Sequence, residues 1–452
     1  MPIIIPANSA AGGGGYEVTN SARFNPASND RLTRTPSSDG SRVKWTWSCW
    51  AKRGTDNQDL YLFGAYQNSS YNTFLKFASG GEIRFADVYG GSEQARINTL
   101  AKFRDPSAWY HIVVVYDKDN STSTDRLIMY VNGVRITEFD GSTMSSQSTT
   151  FNTANIQVQI GALNGDGDMN GYMSEICFVN NQALAPTSFG EFDEDSGIWK
   201  PIESVADLTF GTNGFYMDFK DSSELGNDAA GSNNYAEVNM TALNQTTDTC
   251  TNNFATLNPI DNGYGSITFT EGNLKGDGAS SGWQPARGTI GLSSGKWYWE
   301  VNMSGSGQIG VSNTILDMDN DNSQDLAGVT VFYNAGGGYI RTDGSQVGGT
   351  VGTGDMNTVF GYALDMDNKK LSLYKTNSII VTNTALSTSI TDFALPFFCV
   401  NGGGQYRVNF GNPSVALDNA GVADGNGYGS FEYAPPTGYL AICTKNLSET
   451  DS

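Results

Sequence analysis

The sequence predicts an all-β protein with two antiparallel β-sandwich domains joined by an irregular connector. Three observations predict this class. Short runs of aromatic and β-branched residues alternate between apolar and polar positions with a period of two. The 54 glycines, against 13 prolines, separate these runs as turns. Helical periodicity is nearly absent, and 452 residues are too many for one ordinary core.

The order of these patterns along the chain predicts five segments. They are a flexible N-terminal arm (1–20), a first sandwich (21–200), a connector packed on it (201–262), a second sandwich (263–447) and a short tail (448–452). A run of glycines in the arm is typical of a flexible segment. Aromatic residues recur in the connector, which favours packing over a free linker.

Three patterns justify the first sandwich. Residues 43–51 alternate, so we expect Trp45, Trp47 and Cys49 on one face and Thr46, Ser48 and Trp50 on the other. The nearly continuous apolar run 109–116 predicts a central strand covered on both faces. Asn132-Gly133, between two strand-like runs, predicts a hairpin turn.

The second sandwich follows from a further set of strand-like runs. We predict strands at 296–303, 308–312, 329–333, 358–365, 370–374, 397–400 and 406–410. The pair Asp367-Asn368 predicts a tight turn between two of them.

Charge and hydropathy exclude several partners. The 47 acidic residues outnumber the 26 basic ones, for a net charge of −21, which repels nucleic-acid phosphates and anionic lipids. The sequence contains no apolar stretch of membrane-spanning length, and its short apolar start lacks the positive region of a signal peptide. We therefore expect no nucleic-acid partner and no membrane insertion.

The cysteines are odd in number and widely spaced, which indicates neither a zinc site nor a disulfide framework. They are Cys49, Cys177, Cys250, Cys399 and Cys443. We predict that most are buried free thiols, as in a protein that folds in a reducing cytoplasm.

Two blocks of the sequence resemble known families. The first resembles the concanavalin A/laminin-G sandwich at 45–48 (WTWS), 109–117 (WYHIVVVYD), 130–133 (YVNG) and 171–175 (GYMSE). The second resembles a SPRY domain at 295–301 (GKWYWEV), 309–312 (IGVS), 361–365 (GYALD) and 408–411 (VNFG). The resemblance implies a laminin-G-like jelly roll followed by a SPRY-like sandwich.

The combination also resembles tailed-phage virion proteins of this architecture. The similar phrases are 23–25 (RFN), 32–36 (LTRTP), 211–216 (GTNGFY), 251–259 (TNNFATLNP) and 433–439 (YAPPTGY). Such proteins are usually described as tail-fibre, appendage or structural proteins. The resemblance implies a virion location after assembly in the host cytoplasm, in contact with other capsid or tail proteins.

No catalytic constellation is evident, so we predict a protein that is not an enzyme. The single histidine, His111, lies within an apolar strand, where a core role is expected. Residues 291–295 (GLSSG) fit G-x-S-x-G, but a strand follows rather than the helix that this motif needs. The acidic cluster 191–195 is typical of a solvated loop.

Two Asp-rich loops are candidate calcium sites, although no cofactor is required by the predicted fold. Asp166, Asp168 and Asn170 copy the first half of an EF-hand loop, but Cys177 stands where its bidentate Glu would be. Asp317, Asp319 and Asp321 place oxygen ligands at alternating positions. Solvated turns give the same pattern, so both interpretations stay open.

Aromatic residues in predicted loops are candidate glycan-binding residues. Tyr66, Tyr71, Tyr89 and Trp283 could stack on sugar rings, while neighbouring polar groups bind hydroxyls. Ordinary packing of these loops is the alternative.

Three functional hypotheses follow. The main one is a virion tail fibre, capsid fibre or decoration protein that adheres to a host surface glycan or to neighbouring subunits. Many copies, or a homo-oligomer, would then supply avidity. The second is a ligand-free capsid or tail cement protein anchored by the N-terminal arm, and the third is a polysaccharide depolymerase.

Overall fold

The computed structural model describes residues 15–143, 148–165, 167–265, 267–279, 281–320 and 322–450, with side chains up to Leu447. Residues 1–14 of the predicted arm lie outside the described residues. The chain divides into two compact units: the first ends at Thr251 and the second begins at Asn252. The predicted class, all-β with antiparallel sandwiches, is confirmed.

The first unit contains strands β1 to β18. They are β1 (Ser21–Phe24), β2 (Arg31–Arg34), β3 (Lys44–Arg53), β4 (Leu60–Asn68), β5 (Tyr71–Phe77), β6 (Ile83–Tyr89), β7 (Ser92–Thr99), β8 (Tyr110–Asp117), β9 (Leu127–Val131), β10 (Val134–Arg135), β11 (Phe139–Thr143), β12 (Val158–Ile160), β13 (Gly171–Asn180), β14 (Gly190–Phe192), β15 (Trp199–Pro201), β16 (Phe215–Met217), β17 (Ala236–Val238) and β18 (Gln245–Thr246). Short 3-10 helices lie at Ser123–Asp125, Pro186–Ser188, Glu203–Asp207 and Ala242–Asn244.

Two described sheets of eight strands form the first sandwich. Sheet A has the order β10-β9-β8-β3-β13-β1-β18, with β16 also paired to β13. Sheet B has the order β11-β7-β6-β5-β4-β12-β2-β17. Their facing sides bury one aromatic core, in which the ring of Trp45 lies 5.8 Å from that of Phe85 and Trp47 lies 6.1 Å from Phe63.

Sheet A is covered on its other side as well. Val113 and Val115 of β8 pack there against Phe189, Val205 and Phe210. The central strand predicted at 109–116 is therefore confirmed, with both faces buried. The alternation predicted for 43–51 is also confirmed, because β3 directs Trp45, Trp47 and Cys49 to the core and Trp50 to the opposite face.

Segment 201–262, predicted as a connector, contributes strands to both sheets of the first unit. Phe215–Met217 pairs with β13, Ala236–Val238 pairs with β2 and Gln245–Thr246 pairs with β1. Leu257–Asn262 belongs to the second unit, where it pairs with another strand.

The second unit contains strands β19 to β31 and one short helix. They are β19 (Leu257–Asn262), β20 (Ile267–Thr270), β21 (Lys275–Gly278), β22 (Trp283–Gly288), β23 (Lys296–Ser312), β24 (Val329–Tyr333), β25 (Tyr339–Thr342), β26 (Ser345–Gln346), β27 (Val359–Asp365), β28 (Lys370–Lys375), β29 (Ser378–Ala385), β30 (Leu395–Asn409), β31 (Leu440–Ala441) and α1 (Thr444–Thr450). A 3-10 helix lies at Ser323–Asp325.

Two long strands build this sandwich as one hydrogen-bonded sheet. The first part of β23 pairs with β27 and its second part pairs with β24. The first part of β30 pairs with β22 and its second part with β21. The two layers therefore share β23 and β30, and their facing sides bury a second core around Trp297, Trp299 and Phe398.

The prediction of two separate strands at 296–303 and 308–312 was wrong, because the structure has one continuous strand, β23, over both ranges. The ladder shifts register between Ser304 and Ser306, and Gly305 takes a positive φ of 74°. A glycine in this conformation bends a strand without ending it. The same correction applies to 397–400 and 406–410, which are both parts of β30.

Both predicted turns are confirmed. Asn132 and Gly133 have φ values of 48° and 75°, and Val131 pairs directly with Val134, as in a two-residue hairpin. Asp365 pairs with Lys370 across the turn that contains Asp367 and Asn368. None of the helices that the structure describes is both long and apolar enough to cross a membrane.

Candidate functional site

His111 faces a serine, but inside the protein. Its Nε2 lies 2.8 Å from Ser48 Oγ on the neighbouring strand, and the histidine is only 1% exposed. Trp199 covers the ring, with centroids 5.8 Å apart. Burial lowers the pKa of His111 to about 3, so the ring is neutral at physiological pH. The predicted core role of this histidine is confirmed.

The hydrogen bonds of His111 also fix the wrong tautomer for catalysis. Trp199 Nε1 donates to His111 Nδ1 over 2.9 Å, so Nδ1 carries no hydrogen. The hydrogen is then on Nε2, which donates to the Ser48 hydroxyl. A general base would have to accept the serine proton at that same nitrogen. The hydrogen bond from Trp199 to His111 therefore ties β15 to sheet A.

The other two candidate catalytic patterns, 291–295 and 191–195, lie in a loop and at the end of a hairpin. Residues 291–295 form a loop that leads into β23, without the strand-to-helix elbow of a nucleophile. In the acidic cluster, the carboxylate of Asp193 accepts hydrogen bonds from the backbone of Asp195 and Ser196 and pairs with Lys200 Nζ at 3.1 Å. These contacts close the exposed end of a β14–β15 hairpin.

Tyr71 and Tyr89 form an aromatic pair at one end of sheet B. They are directly opposite each other on β5 and β6, with ring centroids 5.1 Å apart at an angle of 89°. Tyr89 is 45% exposed and Tyr71 is half-buried. The aromatic rings of the sandwich core, in contrast, are buried. We call these two residues the tyrosine pair.

The turns around the tyrosine pair hold each other in place. Gly91 N, in the β6–β7 turn, donates to Ser70 O of the β4–β5 turn over 3.1 Å, and Ser70 N donates to Asn68 Oδ1 over 2.9 Å. Below the pair, Thr73 donates to the buried Asp87 carboxyl. The exposed rings thus stand on a framework that needs little ordering when a ligand binds.

Tyr66 belongs to the other face of sheet B. It pairs with Asn72, the neighbour of Tyr71, and successive side chains on a strand point to opposite faces. Its ring packs against Phe74, Ala86 and Leu163. The structure therefore joins Tyr71 with Tyr89 and separates Tyr66 from them.

Trp283 is part of a second partly exposed aromatic group. Its ring lies 5.9 Å from that of Tyr333, which lies 5.1 Å from that of Tyr339. All three are half-buried. The register places Asn401 and Ser306 on the same face, so amide and hydroxyl groups flank the rings. We call Trp283, Tyr333 and Tyr339 the aromatic row.

Neither Tyr333 nor Tyr339 was predicted from the sequence as a binding residue, because Tyr333 ends the predicted strand 329–333 and Tyr339 lies outside every predicted strand. A usable signal was the glycine run 336–338 between them, which indicates a tight connection. A tight connection places strand-end residues opposite each other, as the pairing of Tyr333 with Tyr339 shows.

A polar pocket of about 200 Å³ lies in the second unit, beside Asn302, Val359 and Arg407. Its floor includes Glu300, which is 2% exposed. Burial raises the pKa of Glu300 to about 7. Its oxygens accept hydrogen bonds that hold neighbouring segments, from Glu432 N and Tyr433 N at 2.8 Å. Glu300 therefore anchors the chain here rather than presenting a free carboxylate.

The calcium hypothesis is only partly covered by the structure, because Asp166 and Asp321 lie outside the described residues. Asn170 is 5% exposed, and Asp317 Oδ1 accepts a hydrogen bond from Asp319 N over 3.2 Å. No group of three His, Cys, Asp or Glu side chains in the described parts of the chain could hold a metal ion. Calcium binding stays a prediction.

All five cysteines lie among the described residues and are free, and four are buried. The exception, Cys250, is of intermediate exposure. The prediction of mostly buried free thiols is confirmed. Burial raises the pKa of Cys49 and Cys177 well above the usual value, which suppresses thiolate chemistry.

Comparisons with known proteins place the first unit among lectin-like folds. Residues 26–187 match the model of the concanavalin A-like lectin/glucanases superfamily. The unit therefore has a lectin-like concanavalin A/laminin G fold.

Solved structures similar to the chain include pentraxin and SPRY proteins. A native heptameric SAP-like pentraxin from Limulus polyphemus is 19% identical, with 38% of this chain and 80% of that chain covered and a TM-score of 0.29. The SPRY domain of human HERC1 is 14% identical, with 34% and 96% covered and a TM-score of 0.26. The PSpry domain of TRIM65 is 15% identical, with 34% and 91% covered and a TM-score of 0.29. No curated protein matches the chain.

Proposed function

We propose that the chain is a structural protein of a tailed-phage virion that binds carbohydrate through its lectin-like unit. The observation that carries the binding proposal is the tyrosine pair. Its two perpendicular rings stand at the end of sheet B, and the outer ring is 45% exposed. An exposed tyrosine face suits the CH groups of a sugar ring, and its hydroxyl suits a sugar hydroxyl.

Several features support a small, weak site of this kind. The β4–β5 turn beside the pair supplies Asn68, Ser69 and Ser70, whose amide and hydroxyl groups complement sugar hydroxyls. The turns are bonded to each other, so the ordering cost of binding is low. Two perpendicular rings give modest affinity for one site, and many copies on a particle would raise the avidity.

Removing the tyrosine pair is expected to abolish or strongly weaken glycan binding. The full chain is first screened on a printed array of bacterial surface oligosaccharides, and the best ligand is then titrated by calorimetry. We expect Tyr71→Ala and Tyr89→Ala each to weaken binding about tenfold, or about 1.4 kcal/mol, because each removes a stacking face.

Two further variants sharpen this test. Tyr264→Ala removes a tyrosine of similar exposure, 44%, from the second unit and should leave binding unchanged. Trp283→Ala tests the aromatic row as the alternative glycan site. If the tyrosine variants bind like the parent while Trp283→Ala does not, the site belongs to the second unit. If no oligosaccharide on the array binds, the carbohydrate proposal is wrong.

The virion assignment is supported by sequence phrases in both units that are similar to those of tailed-phage structural proteins, such as residues 32–36 and 433–439. We expect mass spectrometry of gradient-purified phage particles from an infected culture to detect the chain in a fixed copy number relative to the major capsid protein. A matched fraction of lysate without particles controls for contamination. Absence of the chain from purified particles would disprove this assignment.

A further inference from the structure

Lys52 and Asp248 form an ion pair deep inside the first unit. Lys52 lies on β3 and Asp248 follows β18, so 196 positions separate them along the chain. Lys52 Nζ lies 2.8 Å from Asp248 Oδ2, and the side chains are 1% and 0% exposed. Lysine and aspartate are almost never buried to this extent unless they are paired, and a buried ion pair of this kind gains little net stability.

Two members of an aromatic cluster, Trp109 and Tyr172, contact the two groups. Trp50, Trp109, Tyr172 and Trp199 pack together on this side of sheet A. Lys52 Nζ lies 5.3 Å from the centre of the Tyr172 ring. Nζ and Oδ2 are in direct hydrogen-bond contact, and transfer of one proton from Nζ to Oδ2 would leave no separated charges in this apolar environment. The product of that transfer is a neutral amine beside a carboxylic acid.

The backbone and both carboxyl oxygens of Asp248 are held in position. Ser21 Oγ donates to Asp248 O over 2.6 Å, and Asp248 N donates to Thr246 Oγ1 over 3.2 Å. Trp109 Nε1 donates to Asp248 Oδ1 over 3.2 Å. Fixed reactants in contact react as if at very high local concentration. The indole N–H also lies where negative charge would develop on Oδ1 during attack at Cγ.

We propose that Lys52 and Asp248 join through an amide bond between Nζ and Cγ once the first unit has folded. The neutral amine attacks Cγ, and Trp109 Nε1 stabilises the charge that develops on Oδ1. The Nζ–Cγ bond forms and the Cγ–Oδ2 bond breaks. Two of the three Nζ hydrogens leave with Oδ2 as one water molecule, so no oxidant, reductant or cofactor is needed.

This bond would fasten the last residues of the first unit covalently to the middle of sheet A. β18 has only two residues and pairs only with β1 among the described strands. Its hydrogen bonds alone offer little resistance to unfolding. A covalent link between β3 and the chain after β18 would keep the unit closed under mechanical or chemical stress.

Intact-mass spectrometry of the denatured full chain tests the proposal directly. We expect the parent chain to be lighter than its sequence mass by one water molecule, and the Lys52→Arg variant to have its full sequence mass. The comparison cancels any processing of the chain ends. A protease digest of the parent should contain a branched peptide that joins the segments around Lys52 and Asp248.

The Lys52→Arg variant also distinguishes water loss through this amide bond from water loss elsewhere in the chain. Aspartyl-glycine steps such as Asp343-Gly344 can lose water by cyclisation, but Lys52→Arg retains every one of them. Water loss that persists in Lys52→Arg overturns the proposal. So does recovery of the linear peptides that contain Lys52 and Asp248 in full yield from the parent, since the groups then form an ion pair only. The result does not depend on whether Lys52→Arg folds.

Discussion

Acidification is expected to destabilise the first unit through His111. Its pKa is lowered by burial to about 3 in the folded chain, against an ordinary value of 6.5. The unfolded chain therefore binds a proton as the pH falls below 6.5, while the folded chain does not. The stability that the neutral His111 ring contributes is fully present above pH 6.5 and is lost as the pH falls towards 3. At 1.36 kcal/mol per pKa unit, the loss is at most roughly 4–5 kcal/mol.

The structure gives a second reason for this sensitivity. A protonated ring would carry a hydrogen on Nδ1, where Trp199 Nε1 already donates. Two donors would then face each other inside a buried cluster. Urea unfolding of the parent and of a His111→Gln variant at a series of pH values from 7 to 4 measures the effect as a decrease in the free energy of unfolding of the parent relative to the variant.

His111→Gln is the matched control, because an amide keeps a donor and an acceptor but does not titrate. Glu175 and Glu300 act in the opposite direction, since burial raises the pKa of each to about 7 and their folded forms lose stability as the pH rises from 4.5 to 7. Both proteins retain these glutamates, so the difference between their free energies of unfolding at each pH gives the contribution of His111. Equal pH slopes in the two proteins would rule out this role for His111.

Asp261→Ala is expected to destabilise the second unit by about 3–5 kcal/mol, because it removes the carboxylate that pairs with the buried guanidinium of Arg287. Arg287 is fully buried, and its Nη1 lies 3.3 Å from Asp261 Oδ2. The same guanidinium donates to Ser312 Oγ over 3.1 Å and to Leu316 O over 3.0 Å. It therefore holds the segment after β23 against the sheet.

Chemical denaturation followed by near-ultraviolet circular dichroism measures this loss. The double variant Asp261→Ala with Arg287→Met removes both charges and keeps an apolar stem in the space of the arginine. It should be more stable than the single variant by about 1–2 kcal/mol. Asp392→Ala, at an exposed position, should change stability by less than about 0.5 kcal/mol. A single variant as stable as the parent would contradict the assigned role of the ion pair.

Local patterns predicted the parts of the fold that depend on a single strand. Alternation in 43–51 predicted which side chains enter the core, because a strand has a period of two whatever its partners are. Asn132-Gly133 predicted its hairpin because both residues accept the positive φ values that the turn requires.

Strand continuity could not be predicted in the same way. In the sequence, the glycine at position 305 predicts a turn between two separate strands. In the structure it bends β23, because the two parts of β23 find partners in different layers and the ladder continues through the bulge. Whether a glycine ends a strand or bends it depends on partners that are distant in sequence.

For the candidate sites too, the sequence identified single residues, and the tertiary structure showed which of them meet. The sequence singled out Tyr66, Tyr71 and Tyr89 as loop aromatics, and only the register of β5 with β6 shows that two of them form a pair. The sequence also identified His111 as a core residue. Its contacts with Ser48 and Trp199 could not be predicted, because the three residues lie on three separate strands. Lys52 and Asp248 drew no attention in the sequence, because neither lies in a motif.

The sequence by itself determined that the chain is all-β, that it forms two sandwiches, and which faces of its strands are apolar. These properties follow from residue types and from the period of side chains along an extended backbone. Only the tertiary structure decided which polar and aromatic groups meet. Register, bulges and covering segments set distances of a few ångströms between residues that can lie 196 positions apart, and local patterns carry no information about such contacts.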